Sequence, residues 1–104
     1  MAKAATTYQA QLLDPHSAQP QQVSPRNGRS FKLAELYELL DCRTVDVVRL
    51  SKELILIIDD EGKFRNPCYL NRLATQFYHQ YIPEARGVDV VVGRVILCHD
   101  KQFR

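Results

Sequence analysis

No stretch of about 18 or more apolar residues occurs in the chain, so nothing in it has the length of a membrane-spanning helix. The N-terminus, Met1 to Tyr8, also lacks the apolar core of a secretory signal. Cysteine is scarce. Cys42, Cys68 and Cys98 are odd in number and show no Cys-x-x-Cys spacing. That argues against a disulfide framework or a zinc site and fits a reducing compartment. An excess of one charge is missing from most of the sequence. Residues 1–30 hold Lys3, Arg26 and Arg29 against Asp14, and this accounts for the whole net charge of +2. Residues 31–104 are balanced, which disfavours a domain gripping nucleic acid through its overall field. Nucleophile elbow, P-loop and dinucleotide fingerprint are all absent. A soluble, cytoplasmic, non-catalytic protein without cofactor or metal is expected.

What is present is organised around Leu54-Ile55-Leu56-Ile57-Ile58, which runs into Asp59-Asp60-Glu61-Gly62. Five branched apolar residues closed by a turn signal read as a strand buried on both faces. Such a strand needs neighbours on both edges and cover above and below. The chain of 104 residues is one domain's worth, and its apolar and charged fractions are those of a globular protein.

Residues 1–29 are rich in Gln and broken by Pro15, Pro20, Pro25 and Gly28, with Leu12-Leu13 as the only apolar pair. So little apolar surface does not offset ordering entropy, and the segment is expected to be a disordered or loosely docked arm, with Tyr8 to Leu13 as the piece able to dock. Residues 30–104 form the expected domain. Ser30 precedes Leu33, Leu36, Tyr37 and Leu40, which recur at helical spacing. Thr44 to Leu50 is β-branched and partly alternating, and its short link to the central strand requires an antiparallel hairpin. A second helix, starting between Pro67 and Asn71, presents Leu70, Leu73, Ala74, Phe77 and Tyr81 on one face. Val88 to Cys98 is the last strand, and Gly93 within it implies a bulge, a bend or a close backbone approach. The expected fold is α+β: a three-stranded mixed sheet in the order α-β-β-α-β, with both helices packed on one face. The other face is left to solvent or to a second copy, so a homodimer is one expected state.

Phe31-x-Leu33-x-x-Leu36, Val45-Asp46-Val47-Val48-x-Leu50, Asp59-Asp60-Glu61-Gly62-Lys63, Asn71-Arg72-Leu73-Ala74-Thr75 and Asp89-Val90-Val91-Val92-Gly93 together resemble a family of small bacterial proteins of unknown function. Its members are carried widely by phages, plasmids and actinobacterial or cyanobacterial genomes. The resemblance spans roughly residues 31–98, leaves out the N-terminal arm and implies no established activity. Where such proteins often have a Gly pair after the first helix, this chain has Asp41-Cys42.

Three groups of residues bear on function. Asn71, Arg72 and Thr75 lie at a helix start, where backbone amides favour anions and Arg can fork onto a phosphate or carboxylate, so they are the candidate ligand-binding set. Capping by Asn71, back-bonding by Thr75 and a solvated Arg72 would explain the same residues without a ligand. Lys63, Arg65 and Arg72, interleaved with Phe64 and Tyr69, are the alternative nucleic-acid set. Asp59, Asp60 and Glu61 read as turn chemistry rather than a cation site. Cys68 or Cys98 with His79 or His99 is an imaginable nucleophile and base, but Cys98 lies in an apolar strand, where a free Cys usually just packs, and Cys42, His79 and His99 lack metal-ligand spacing. The expected role is therefore that of a binding or accessory protein of mobile-element or phage-related type, acting on a protein partner or a small anionic ligand. Nucleic-acid binding through Lys63, Arg65, Arg72 and the basic arm is the alternative.

Overall fold

A computed structural model describes residues 9–103. Two helices and a five-stranded sheet build the α+β fold. In chain order these are β1 (Ala10–Leu13), β2 (Gln21–Val23), α1 (Leu33–Leu40), β3 (Val45–Arg49), β4 (Leu54–Asp59), α2 (Arg72–Tyr81) and β5 (Val95–His99). The sheet runs β2-β1-β5-β4-β3, and every neighbouring pair is antiparallel.

The three-stranded mixed sheet expected from the sequence is thus corrected in number and in direction. Two further strands come from residues 10–23, within the Gln-rich segment, and β1 pairs directly with β5. Leu12 and Leu13 are adjacent, so the pleat sends them to opposite faces, and both are buried. Two residues therefore anchor a segment whose composition otherwise favours disorder. Tyr8, expected to dock with them, lies outside the described residues.

The helices also depart from expectation, since they lie on opposite faces of the sheet. Leu36 and Leu40 of α1 pack with Ala10, Leu12, Ile55, Ile57, Ile96 and Cys98. Ala74, Leu73 and Phe77 of α2 pack with Leu13, Leu56, Val95 and Leu97. The alternation along β4 accounts for this arrangement. Ile55 and Ile57 point one way and Leu56 the other, all with almost no exposure, so each face demands its own helix.

Local chemistry shifts several boundaries. Helix α1 begins after Lys32 rather than after Ser30, because Glu35 accepts the Lys32 N–H at 3.0 Å. It ends at Asp41, held at φ 52°, the left-handed position that glycine usually occupies. Asn71 caps α2 by accepting the Ala74 N–H at 3.0 Å. The last strand starts seven residues later than its β-branched run suggests, at Val95 rather than Val88. Gly93 makes the bend before it, at φ 71°, with its N–H donating to Tyr69 O at 2.8 Å.

Candidate functional site

The Asn71, Arg72 and Thr75 set is held together at the start of α2, but two of its members face inward. Asn71 is 1% exposed. Its Nδ2 donates to Leu13 O at 2.9 Å and to Gly93 O at 2.8 Å, while Oδ1 caps Ala74. Thr75 Oγ1 donates to Val91 O and accepts the Val91 N–H, at 3.2 and 2.9 Å. Their polar atoms tie α2 to β1 and to the segment before β5. Arg72 is exposed and borders a shallow hollow shared with Asp14, His16 and Gln76.

The basic set is dispersed. Lys63 Nζ pairs with Asp89 Oδ1, and Arg65 Nε pairs with Asp59 Oδ2. Asp59 is nearly buried, and its hydrogen bond holds the Arg65 guanidinium even more firmly protonated than usual. Arg72 sits apart from both, on the Asp14 hollow. Tyr69 packs edge-on against His16, with ring centroids 4.4 Å apart. The acidic turn is built as turn chemistry: Asp59 Oδ1 accepts the Glu61 N–H at 2.9 Å while its other oxygen takes Arg65.

The cysteines and histidines form no joint centre. Cys98 is buried in β5, and burial among apolar neighbours pushes its thiol up to about 12. Cys68 is exposed. His79 donates from Nε2 to Asp89 O at 2.7 Å, and His99 lies between Glu53 and Asp100. Among the described residues, no group of three or more His, Cys, Asp or Glu side chains is arranged to hold a metal ion.

A feature that periodicity did not disclose lies on the α2 side of the sheet. A groove of about 220 Å³ runs between β3 and the segment 88–92. Val48 and Ile58, both partly buried, and the buried Val91 supply its apolar lining. Phe64, on the 3-10 turn Gly62–Phe64, stands 88% exposed at its lip, and Val90 is 41% exposed beside it. Val88, nearby in the chain, is 82% exposed. The wall is polar. Asp89 accepts from Lys63 and, at 3.1 Å, from the Tyr78 hydroxyl. The Lys63 hydrogen bond, aided by that of Tyr78, holds the Asp89 carboxyl below its ordinary range despite partial desolvation. Burial, with the carboxylate beside it, raises the Tyr78 phenol. Asp46 and Asp60 complete the rim. The sequence signal was present but ambiguous: Val88-Asp89-Val90-Val91-Val92 reads equally as a strand, and Phe64 stands between two basic residues as if part of a charged surface.

No curated protein and no solved structure matches the chain. One family model matches residues 8–103, so the match reaches beyond the expected limits of roughly 31–98 and takes in β1 and β2. The chain belongs to the family described as domain of unknown function DUF3846.

Proposed function

We propose that the protein is a non-catalytic binding or accessory protein of mobile-element or phage-related type, acting in the cytoplasm on a protein partner that docks at the Phe64 groove. The observation that carries this reading is Phe64 itself, 88% exposed at the mouth of an apolar groove. A large aromatic side chain left in water at the edge of a concave apolar surface is the usual composition of a protein contact. Burying it fully would contribute about 1.5–3 kcal/mol.

The competing readings draw less support from the geometry. A small anion at Asn71 and Thr75 would have to displace hydrogen bonds that join three parts of the fold. A nucleic acid at Lys63 and Arg65 would meet cations already paired with Asp89 and Asp59. A thiol raised to about 12 is protonated at neutral pH, which supports a non-catalytic role for Cys98.

A photo-reactive phenylalanine analogue at position 64, expressed in the host, tests the docking face, with the exposed position 19 as control. Position 64 is expected to give a discrete cross-linked product that position 19 lacks. A product at twice the chain mass would identify the partner as a second copy. Identical patterns at the two positions, or none, would remove the proposal.

A further inference from the structure

We infer that the partner presents a short segment in which lysine or arginine alternates with aliphatic residues, an inference that rests on reading the Phe64 groove as the docking face. Charge complementarity carries it. Three aspartates on the α2 side of the groove, Asp46, Asp60 and Asp89, stand against the single lining cation Lys63, while the Asp59 carboxylate is turned to Arg65. Lys63 is matched by Asp89, and Asp59 is matched by Arg65. Asp46 and Asp60 are both exposed and form no ion pair among the described residues, so the rim presents uncompensated negative charge beside an apolar lip. An acidic segment is repelled there and a purely aliphatic one leaves the carboxylates without counter-charge. A basic and aliphatic segment satisfies both features.

Size and edge chemistry narrow the occupant further. A volume of about 220 Å³ is below that of sites enclosing whole drug-sized molecules and fits the admission of a few side chains from a larger partner. Strand β3 is the outer strand of the sheet, yet the Val47 N–H is taken by Asp46 Oδ1 at 2.8 Å. An added strand would have to break that bond, so the segment engages through its side chains rather than by extending the sheet.

The test uses the full chain and a short synthetic peptide alternating lysine and valine, followed by amide NMR shifts at low salt. Saturable shifts are expected at Asp60, Phe64 and residues 89–92, weakening as salt is added. A peptide with glutamate replacing lysine should leave these signals unmoved. Phe64→Ala, at so exposed a position that folding is retained, should weaken binding about tenfold. Asp60→Lys should weaken it further at low salt, whereas Leu33→Ala on the opposite side of the sheet should have no effect. Equal binding of the glutamate peptide, unchanged affinity in Phe64→Ala, or saturable shifts confined to another surface would overturn the inference. A cross-link from position 64 to a partner segment without basic residues would overturn it too, while leaving the docking face itself standing. If the cross-link and the peptide both fail, the docking reading falls with it.

Discussion

Asn71 uses both amide protons and its carbonyl oxygen inside the fold, bridging β1, the bend at Gly93 and the first turn of α2. Asn71→Ala should therefore lower the unfolding free energy by about 2–4 kcal/mol in urea titrations, since two buried carbonyls and a helix cap lose their partner together. Asn71→Asp should cost at least as much. A carboxylate still caps Ala74 but faces Leu13 O and Gly93 O with no proton to donate. Glu35 makes a comparable bridge at the other helix, accepting the Arg26 and Lys32 N–H groups at 2.9 and 3.0 Å. Burial alone would raise its carboxyl, but those two N–H groups and the nearby Arg26 charge outweigh it and hold the group below the ordinary carboxylate range. A depressed folded-state value means the stabilisation is present above the unfolded-state value and is lost as pH falls through the folded one. Melting temperature should accordingly drop on acidification below that range, and Glu35→Gln should flatten this part of the acid limb while lowering stability at neutral pH.

At the scale of the element, α1 stops at a residue poorly suited to stopping it. Asp41 takes a left-handed conformation and places a negative charge at the helix C-terminus, both unfavourable. Asp41→Gly should stabilise the protein by about 1 kcal/mol, read from the shift in denaturation midpoint, and Asp41→Val should destabilise it. Asp41-Cys42 after the first helix was visible in the sequence; its geometric meaning needed the helix end to be located. The same holds elsewhere. Hairpin β3–β4 and helix α2 were legible, because β-branched density and a 3.6-residue apolar period each point to one element. Strands β1 and β2 were not, since Ala10–Leu13 and Gln21–Val23 are too short and too polar to outweigh three flanking prolines. Their stability is tertiary, supplied by the edge of β5. The candidate site divided along similar lines. Asn71, Arg72 and Thr75 lie together at one helix start, as their spacing implied, but two of them face inward, while the groove depends on how the 88–92 segment turns away from the sheet, which no periodicity encodes.

For the whole molecule, the sheet is the partition between two cores, and β1 belongs to both through Leu12 and Leu13. Leu13→Ala should cost about 3 kcal/mol, as for a fully buried leucine. Removal of residues 1–24 should abolish the dispersed amide spectrum altogether, because it strips one edge of β5 as well as the apolar contacts of both faces. Thiol labelling offers an independent view. Cys68 should react rapidly in mildly alkaline buffer, Cys42 more slowly because burial and the nearby Asp59 charge raise its thiol, and Cys98 only at the rate of global opening. Prompt labelling of Cys98 would show that β5 opens independently of the remaining sheet.

The strand order has a further consequence for how the protein is made. β5 is the middle strand of the sheet and leaves the ribosome after the other four described strands. Until Val95–His99 emerges, β1–β2 and β3–β4 are two hairpins with no strand to join them, and an isolated hairpin is at best marginally stable in water. Closure then joins residues far apart in the chain, Leu13 with Val95 on one side and Ile57 with Ile96 on the other. Synthesis arrested before Val95 would leave Leu13 and Leu56 in unclosed halves, a nascent chain that presents apolar surface to chaperones and proteases until β5 arrives.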